Sequence, residues 1–165
     1  MKRIIGIDPA LTKTGWGVIE FQNNNIKYIA SGTIKTEASQ PISNRLHYMH
    51  KELDEILKCY NPSDAAIEET FINNNPTSSL KLGHARGSLM LTLAINNIDV
   101  FEYSTTSIKK SVVGVGRAEK QQVFAMIKIL LPLNKAQNED ETDALAAAIC
   151  HINNNNNASR IFYKQ

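Results

Sequence analysis

Disulfides, membrane spans and a histidine metal cluster are all lacking from this 165-residue chain, and each lack closes off a class of protein. The two cysteines, Cys59 and Cys150, lie far apart and form no Cys-x-x-Cys, so buried thiols in a reducing compartment are expected and a disulfide framework is not. No apolar run approaches the ~18–20 residues that cross a bilayer. Met1-Lys2-Arg3 resembles the basic start of a signal peptide, but Asp8 and Pro9 cut the run behind it too early, and the chain reads as cytoplasmic, with no membrane partner. The four histidines have no metal-ligand spacing, and neither a Ser-His-Asp order nor a cysteine-nucleophile context stands out. Charge is nearly balanced at +2, so its placement carries more information than its sum.

What is present is an alternation of short strands and amphipathic helices. Residues 3–8 read as a buried strand, Thr12 to Gly15 as a turn, and residues 16–21 and 26–35 as two more strands in an antiparallel meander. Gly32 marks a bulge or a close approach. Ile42, Leu46, Met49, Leu53 and Leu57 recur at helical spacing, and Asn61-Pro62-Ser63 stops that helix. Residues 64–69 form a strand parallel to an earlier one, because a helix crossover precedes it. A helix follows from Asn75-Pro76 to about Ile95, with Gly83 and Gly87 on one smooth face suited to close helix packing, within the chain or against a second subunit. A fifth strand spans 98–103, a short helix 105–112, and a longer one 118–131, stopped by Pro132. Asn138 and Glu141 have capping-box spacing, and the last helix is expected to end near Ile152. The runs of asparagine read as punctuation, in turns and a tail. The class is α/β, with parallel and antiparallel pairs in one sheet.

Three stretches carry acids where apolar segments begin or end: Asp8 after Ile4-Ile5-Gly6-Ile7, Glu68 after Ala65-Ala66-Ile67, and the patch Glu139-Asp140-Glu141-Thr142-Asp143. If the two strands lie side by side and parallel, Asp8 and Glu68 leave the sheet at one edge. Asp140 and Asp143, three apart, share a helix face, and the alanines after them allow that helix to lie close to the sheet. Four such carboxylates repel one another unless a hard divalent cation takes their oxygens. Two ions ~3.5–4 Å apart are suited to phosphodiester hydrolysis. Plainer roles stand beside this one. Asp8 can cap a turn, Glu68 can be a surface acid, and the helical acids, Glu139 and Glu141 above all, complement a helix N-terminus.

Lys109, Lys110, Arg117 and Lys120 cluster around Gly114 and Gly116, ahead of a helix. They are either a solvated turn or a track for a phosphate backbone, with backbone N–H groups able to hold a phosphate. Phe71, in a polar segment after Glu68, is either core or an aromatic that stacks on or separates bases.

Gly6-Ile7-Asp8-Pro9, Thr14-Gly15-Trp16-Gly17-Val18-Ile19, Ala66-Ile67-Glu68-Glu69, Leu80-Lys81-Leu82-Gly83 with Ala85-Arg86-Gly87, Val112-Val113-Gly114-Val115-Gly116 with Ala118-Glu119-Lys120, and Asp143-Ala144-Leu145-Ala146 together resemble the RuvC family of Holliday-junction resolvases, in the family's order over nearly the whole chain. The resemblance implies a ribonuclease H-like fold, a five-stranded mixed sheet flanked by helices, over residues 1–152, with 153–165 a loosely held Asn-rich tail. It implies a homodimer that nicks two opposed strands of a four-way DNA junction in recombination and repair, leaving 5′-phosphates. Two Mg²⁺ ions per site are expected, with Mn²⁺ able to substitute, and RuvA–RuvB as partner. Carried over by position, Asp8, Glu68, Asp140 and Asp143 are the catalytic metal ligands, Lys109 and Lys120 contact DNA, and Phe71 enters the junction centre. The helix with Gly83 and Gly87 corresponds to the dimer-forming region. Ala10 departs from the family's glycine, and Arg117 adds a charge that would tighten backbone binding. The rival readings are a nucleotide-binding phosphotransferase or ATPase-like domain, and a junction-binding module without catalysis.

Overall fold

Alternation along the first strand decides the layering. Ile5 and Ile7 point into one core and Ile4 into another on the opposite face, where Gly6 and Asp8 also lie. The computed structural model describes residues 1–69 and 75–162, with side chains through residue 155. Its elements run β1 (Lys2–Asp8), β2 (Lys13–Gln22), β3 (Asn25–Lys35), α1 (Ile42–Tyr60), β4 (Asp64–Glu68), α2 (Pro76–Ile95), β5 (Asp99–Tyr103), α3 (Thr105–Val113), α4 (Lys120–Leu130) and α5 (Glu139–Phe162). The sheet order is β3-β2-β1-β4-β5. β1 and β3 flank β2 antiparallel, whereas β4 is parallel to both β1 and β5. This is the mixed five-stranded sheet with flanking helices that the sequence implies.

Met49, Leu53 and Leu57 of α1 and Ala85, Leu89 and Leu93 of α2 close the first core. α3, α4 and α5 close the second, and α5 lies closest to the sheet. A Cβ on Gly6 would stand 1.8 Å from the Ala144 carbonyl oxygen, and one on Gly15 would stand 2.0 Å from that of Asp140. Those two glycines admit the main chain of α5 to contact, and any side chain there would push the helix away.

Several boundaries differ from the sequence reading. Thr12 to Gly15 is not a turn, because β2 begins at Lys13 and its ladder reaches Asp8 opposite Gly15. Thr14 is buried, and its hydroxyl donates to the Ala10 carbonyl at 2.6 Å, so the turn is drawn back to residues 9–12. Gly32 marks a close approach, to the Trp16 ring, while the register shift falls between Val18 and Ile19 of the partner strand. Asn23 and Asn24 take positive φ in the β2–β3 hairpin, Asn61 takes it at the end of α1, and Asn75 caps α2 through Thr77 and Ser78 N–H. The later asparagines behave otherwise: α5 runs on through them to Phe162, beyond the expected end at Ile152. Asn153 reaches the Ser111 carbonyl at 3.2 Å, so this asparagine contributes to helix packing instead of ending the helix.

Among the described residues, no atom lies within 4 Å of a Cβ added at Gly83 or Gly87. With Leu80, Leu91 and Ile95, each 61% exposed, they form an outward stripe of small and apolar residues along α2.

Candidate active site

The β1–β4 register brings the first two acids together. Ile7 pairs with Ile67 in parallel, so Asp8 and Glu68 are the next residues on adjacent strands. Both follow the side-chain parity that faces α5, after Gly6 and Ala66. The first turns of α5 lie over the same edge of the sheet, bringing in Asp140 and Asp143. Asparagine caps that helix start: Asn138 Oδ1 accepts from Glu141 N–H at 3.1 Å, and its amide donates to Glu141 Oε1 at 2.7 Å.

These acids feel one another. Burial, then the charges of Glu68, Asp143 and Asp140, push the Asp8 carboxyl up to about 8, with Lys120 opposing. Burial and Glu68 push Asp143 up to about 6, again with Lys120 opposing. At neutral pH Asp8 therefore keeps a proton, because burial and three neighbouring acids outweigh the charge of Lys120. The donor set is entirely hard oxygen, which fits a divalent cation of the Mg²⁺ class.

The acids nevertheless do not form a ready cage. Among the described residues, no three His, Cys, Asp or Glu side chains already stand around one metal position. Two of the four acids are drawn aside. Lys13 forms an ion pair with Asp140, and the Thr105 hydroxyl donates to Glu68 Oε1. Sequence reasoning missed both partners. Lys13 sat in a misread turn, and Thr105 starts a helix whose approach to β4 is a tertiary fact. The remaining acids have structural partners. Glu141 is buried and accepts from the Ser31 hydroxyl at 2.7 Å, while exposed Glu139 pairs with Lys120 at 2.9 Å. This agrees with reading Glu139 and Glu141 as helix-start acids.

The basic candidates sit on different elements. Lys120, first residue of α4, is the one whose charge acts on Asp8 and Asp143. Lys109 lies one turn beyond Thr105 on α3, on the same side of that helix. Arg117 is exposed in the loop between α3 and α4. Glu119 occupies the N-cap position of α4, which puts a carboxylate where a phosphate would otherwise meet the helix start. Phe71 lies outside the described residues.

An acid-lined sheet edge covered by a helix, in strand order 3-2-1-4-5, defines a ribonuclease H-like nuclease domain. The solved structure of Thermus thermophilus RuvC in complex with Holliday junction substrate superimposes with a TM-score of 0.90 at 26% identity, covering 96% of this chain and 97% of that one. A crossover junction endodeoxyribonuclease RuvC from Sinorhizobium medicae is 47% identical over 154 residues, 93% of this chain and 92% of its own. One from Azorhizobium caulinodans is 51% identical over 151 residues, 92% of this chain and 89% of its own. The family model for crossover junction endodeoxyribonuclease RuvC matches residues 4–151, and the chain belongs to that family.

Proposed function

We propose that this protein is a nuclease that resolves four-way DNA junctions by paired, symmetric nicks, with Asp8, Glu68, Asp140 and Asp143 as its catalytic carboxylates. The observation that carries the reading is the convergence of acids from β1, β4 and α5 at one sheet edge, where burial first and then the charges of Glu68, Asp143 and Asp140 push the Asp8 carboxyl up to about 8. Those four residues would hold Mg²⁺, two ions per site, with Mn²⁺ able to substitute. Bound there, the metal supplies Lewis-acid polarisation of water and of the scissile phosphate, leaving 5′-phosphate ends.

The chain's own groups do the rest. Asp8 must give up its proton before its oxygens can ligate. Thr105 orients Glu68 through its hydroxyl, and Lys13 offsets Asp140 until a better cation arrives. Lys120 is exposed and placed to meet a backbone phosphate beside Asp143, with Lys109 and Arg117 extending the positive track. Phe71 is proposed as the aromatic that enters the junction centre.

A homodimer is part of the proposal, because two matched cuts need two sites. The outward stripe of Leu80, Gly83, Gly87, Leu91 and Ile95 on α2 supports it, since among the described residues the two glycines have nothing within 4 Å of an added Cβ. RuvA–RuvB is proposed as the partner that supplies junctions, from the family resemblance. Among the described residues no helix is long and apolar enough to cross a membrane, and we place the enzyme in the cytoplasm with its DNA.

Cleavage of a synthetic four-way junction tests the reading against a linear duplex of the same sequence, with and without Mg²⁺. Paired nicks in the junction alone, and only with the cation, are expected. Equal cutting of duplex, or junction binding without nicking under Mg²⁺ or Mn²⁺, would overturn it.

A further inference from the structure

A groove of about 340 Å³ opens beside the acid cluster, between α4 and the start of α5. Lys120, Phe124 and Asp143 line it, with Gln121, Gln137 and Glu139. Phe124 is 36% exposed, although its neighbours Val123 and Ile127 already seal α4 against the core. The ring is therefore not needed to close the interior. Lys128 holds its ammonium 4.3 Å from the ring centroid and does not line the groove, whereas Phe124 does.

We infer that this groove receives one unpaired base of the cut strand, that of a nucleotide next to the phosphate met by Lys120, stacked on Phe124. The inference rests on the nuclease reading above. The occupant follows from continuity: a strand with a phosphate at Lys120 must pass its next nucleotide along the groove that Lys120 itself borders. It follows also from chemistry. A base offers a flat π-face to an aromatic wall and hydrogen-bonding edges to the two glutamine amides, each able to donate and accept. The rim carries Lys120 and Glu139, paired at 2.9 Å and both well exposed, so a phosphate can take Lys120 from Glu139 at little loss. A base inside an intact duplex cannot reach the groove, but one released from its stack at a junction can.

The test uses full-length Asp8→Asn protein, expected to bind without cutting, and four-way junctions carrying 2-aminopurine at each nucleotide flanking the cut. Fluorescence should report a base stacked on protein at one flanking position. Adding Phe124→Leu, which keeps an apolar side chain of similar size, should abolish that signal and weaken junction affinity about 5- to 150-fold, the span for losing one base–aromatic stack. Phe124→Tyr should restore both, and thermal melting should match across the three proteins. An unchanged signal and affinity in Phe124→Leu would overturn the groove assignment, as would a large loss of melting temperature, which would make the ring a core residue. Asp8→Asn protein that fails to bind junctions at all would instead bring down the nuclease reading together with this inference.

Discussion

Two aspartates, Asp64 buried and Asp8 half-buried, lie on the same face of neighbouring strands, under the same helix, and the chain treats them in opposite ways. Asp64, at the start of β4, lies 2.5 Å from Lys2 Nζ and 2.7 Å from His151 Nε2. The far ring nitrogen of His151 lies 2.8 Å from the Tyr103 hydroxyl. Burial alone would raise Asp64, yet hydrogen bonds from Lys2, His151 and Ser63 hold it below the ordinary carboxylate range. Burial lowers His151, so it stays neutral and donates to the Asp64 anion. At the other end of the sheet Asp8 has acids for neighbours, and its carboxyl is pushed up to about 8. A carboxylate given a cation and a donor in the fold holds the structure together. One set among others of its kind carries the perturbed proton affinity that marks a candidate functional group.

The comparison breaks first on activity. Asp8→Asn should lower junction cleavage by more than about 100-fold, since even loss of a residue supporting a metal ligand costs about 10–100-fold. Binding measured by gel shift should persist, and equal loss of binding and cleavage would remove the distinction between the two aspartates. Asp64→Ala should do the reverse. It orphans the His151 N–H, at a cost of about 1–3 kcal/mol. That lowers melting by about 2–4 °C per kcal/mol for a chain of this size, while cleavage well below the melting point is unchanged.

The two aspartates should also differ in the sign of their pH response without metal. A raised Asp8 keeps its proton in the folded state after the unfolded chain has lost it near the ordinary 3.8, so stability should fall as pH rises from about 4 to about 8. Asp143 adds to the lower part of that window, up to about 6. Asp64 is depressed, so its contribution is present above 3.8 and is lost as pH falls below that value. Chelator-treated melts between pH 5 and 8 should slope downward in the wild-type protein and flatten in Asp8→Asn, with a higher melting temperature at pH 8. A wild-type curve that rises with pH would contradict the assignment.

The smallest effect is expected at Lys13. Its pair with Asp140 is partly exposed, so Lys13→Ala should tighten Mg²⁺ binding by less than about fivefold, the equivalent of an exposed pair worth under about 1 kcal/mol. Calorimetric titration would show this directly, and weaker Mg²⁺ binding would mean that Lys13 supports the site instead of competing for it.

Much of this arrangement is legible in the chain itself. A β-branched run ending in an acid, a crossover to a second such run, and a capped helix opening on acids already imply where Asp8, Glu68, Asp140 and Asp143 belong, because side-chain parity and helix spacing are local rules. The asparagines at 23, 24, 61 and 75 are likewise readable, since a turn or a cap is settled within a few residues. Lys13 and Thr105 are not readable in that way. Nothing local to either residue points to Asp140 or Glu68; the contacts exist because β2 extends its ladder to Gly15 and because α3 starts beside the end of β4. The extension of α5 through its asparagines is also invisible locally, because the residue's turn preference is overridden by packing of the kind Asn153 makes with Ser111.

By itself the sequence determined the order of elements, the parity that turns each acid toward one face, and the glycines that let a helix approach. Only the tertiary structure decided which charges are answered. Asp64 meets Lys2 and His151 from distant parts of the chain, and Asp8 meets three more acids, because Coulomb interactions depend on distance in space and not on separation along the chain.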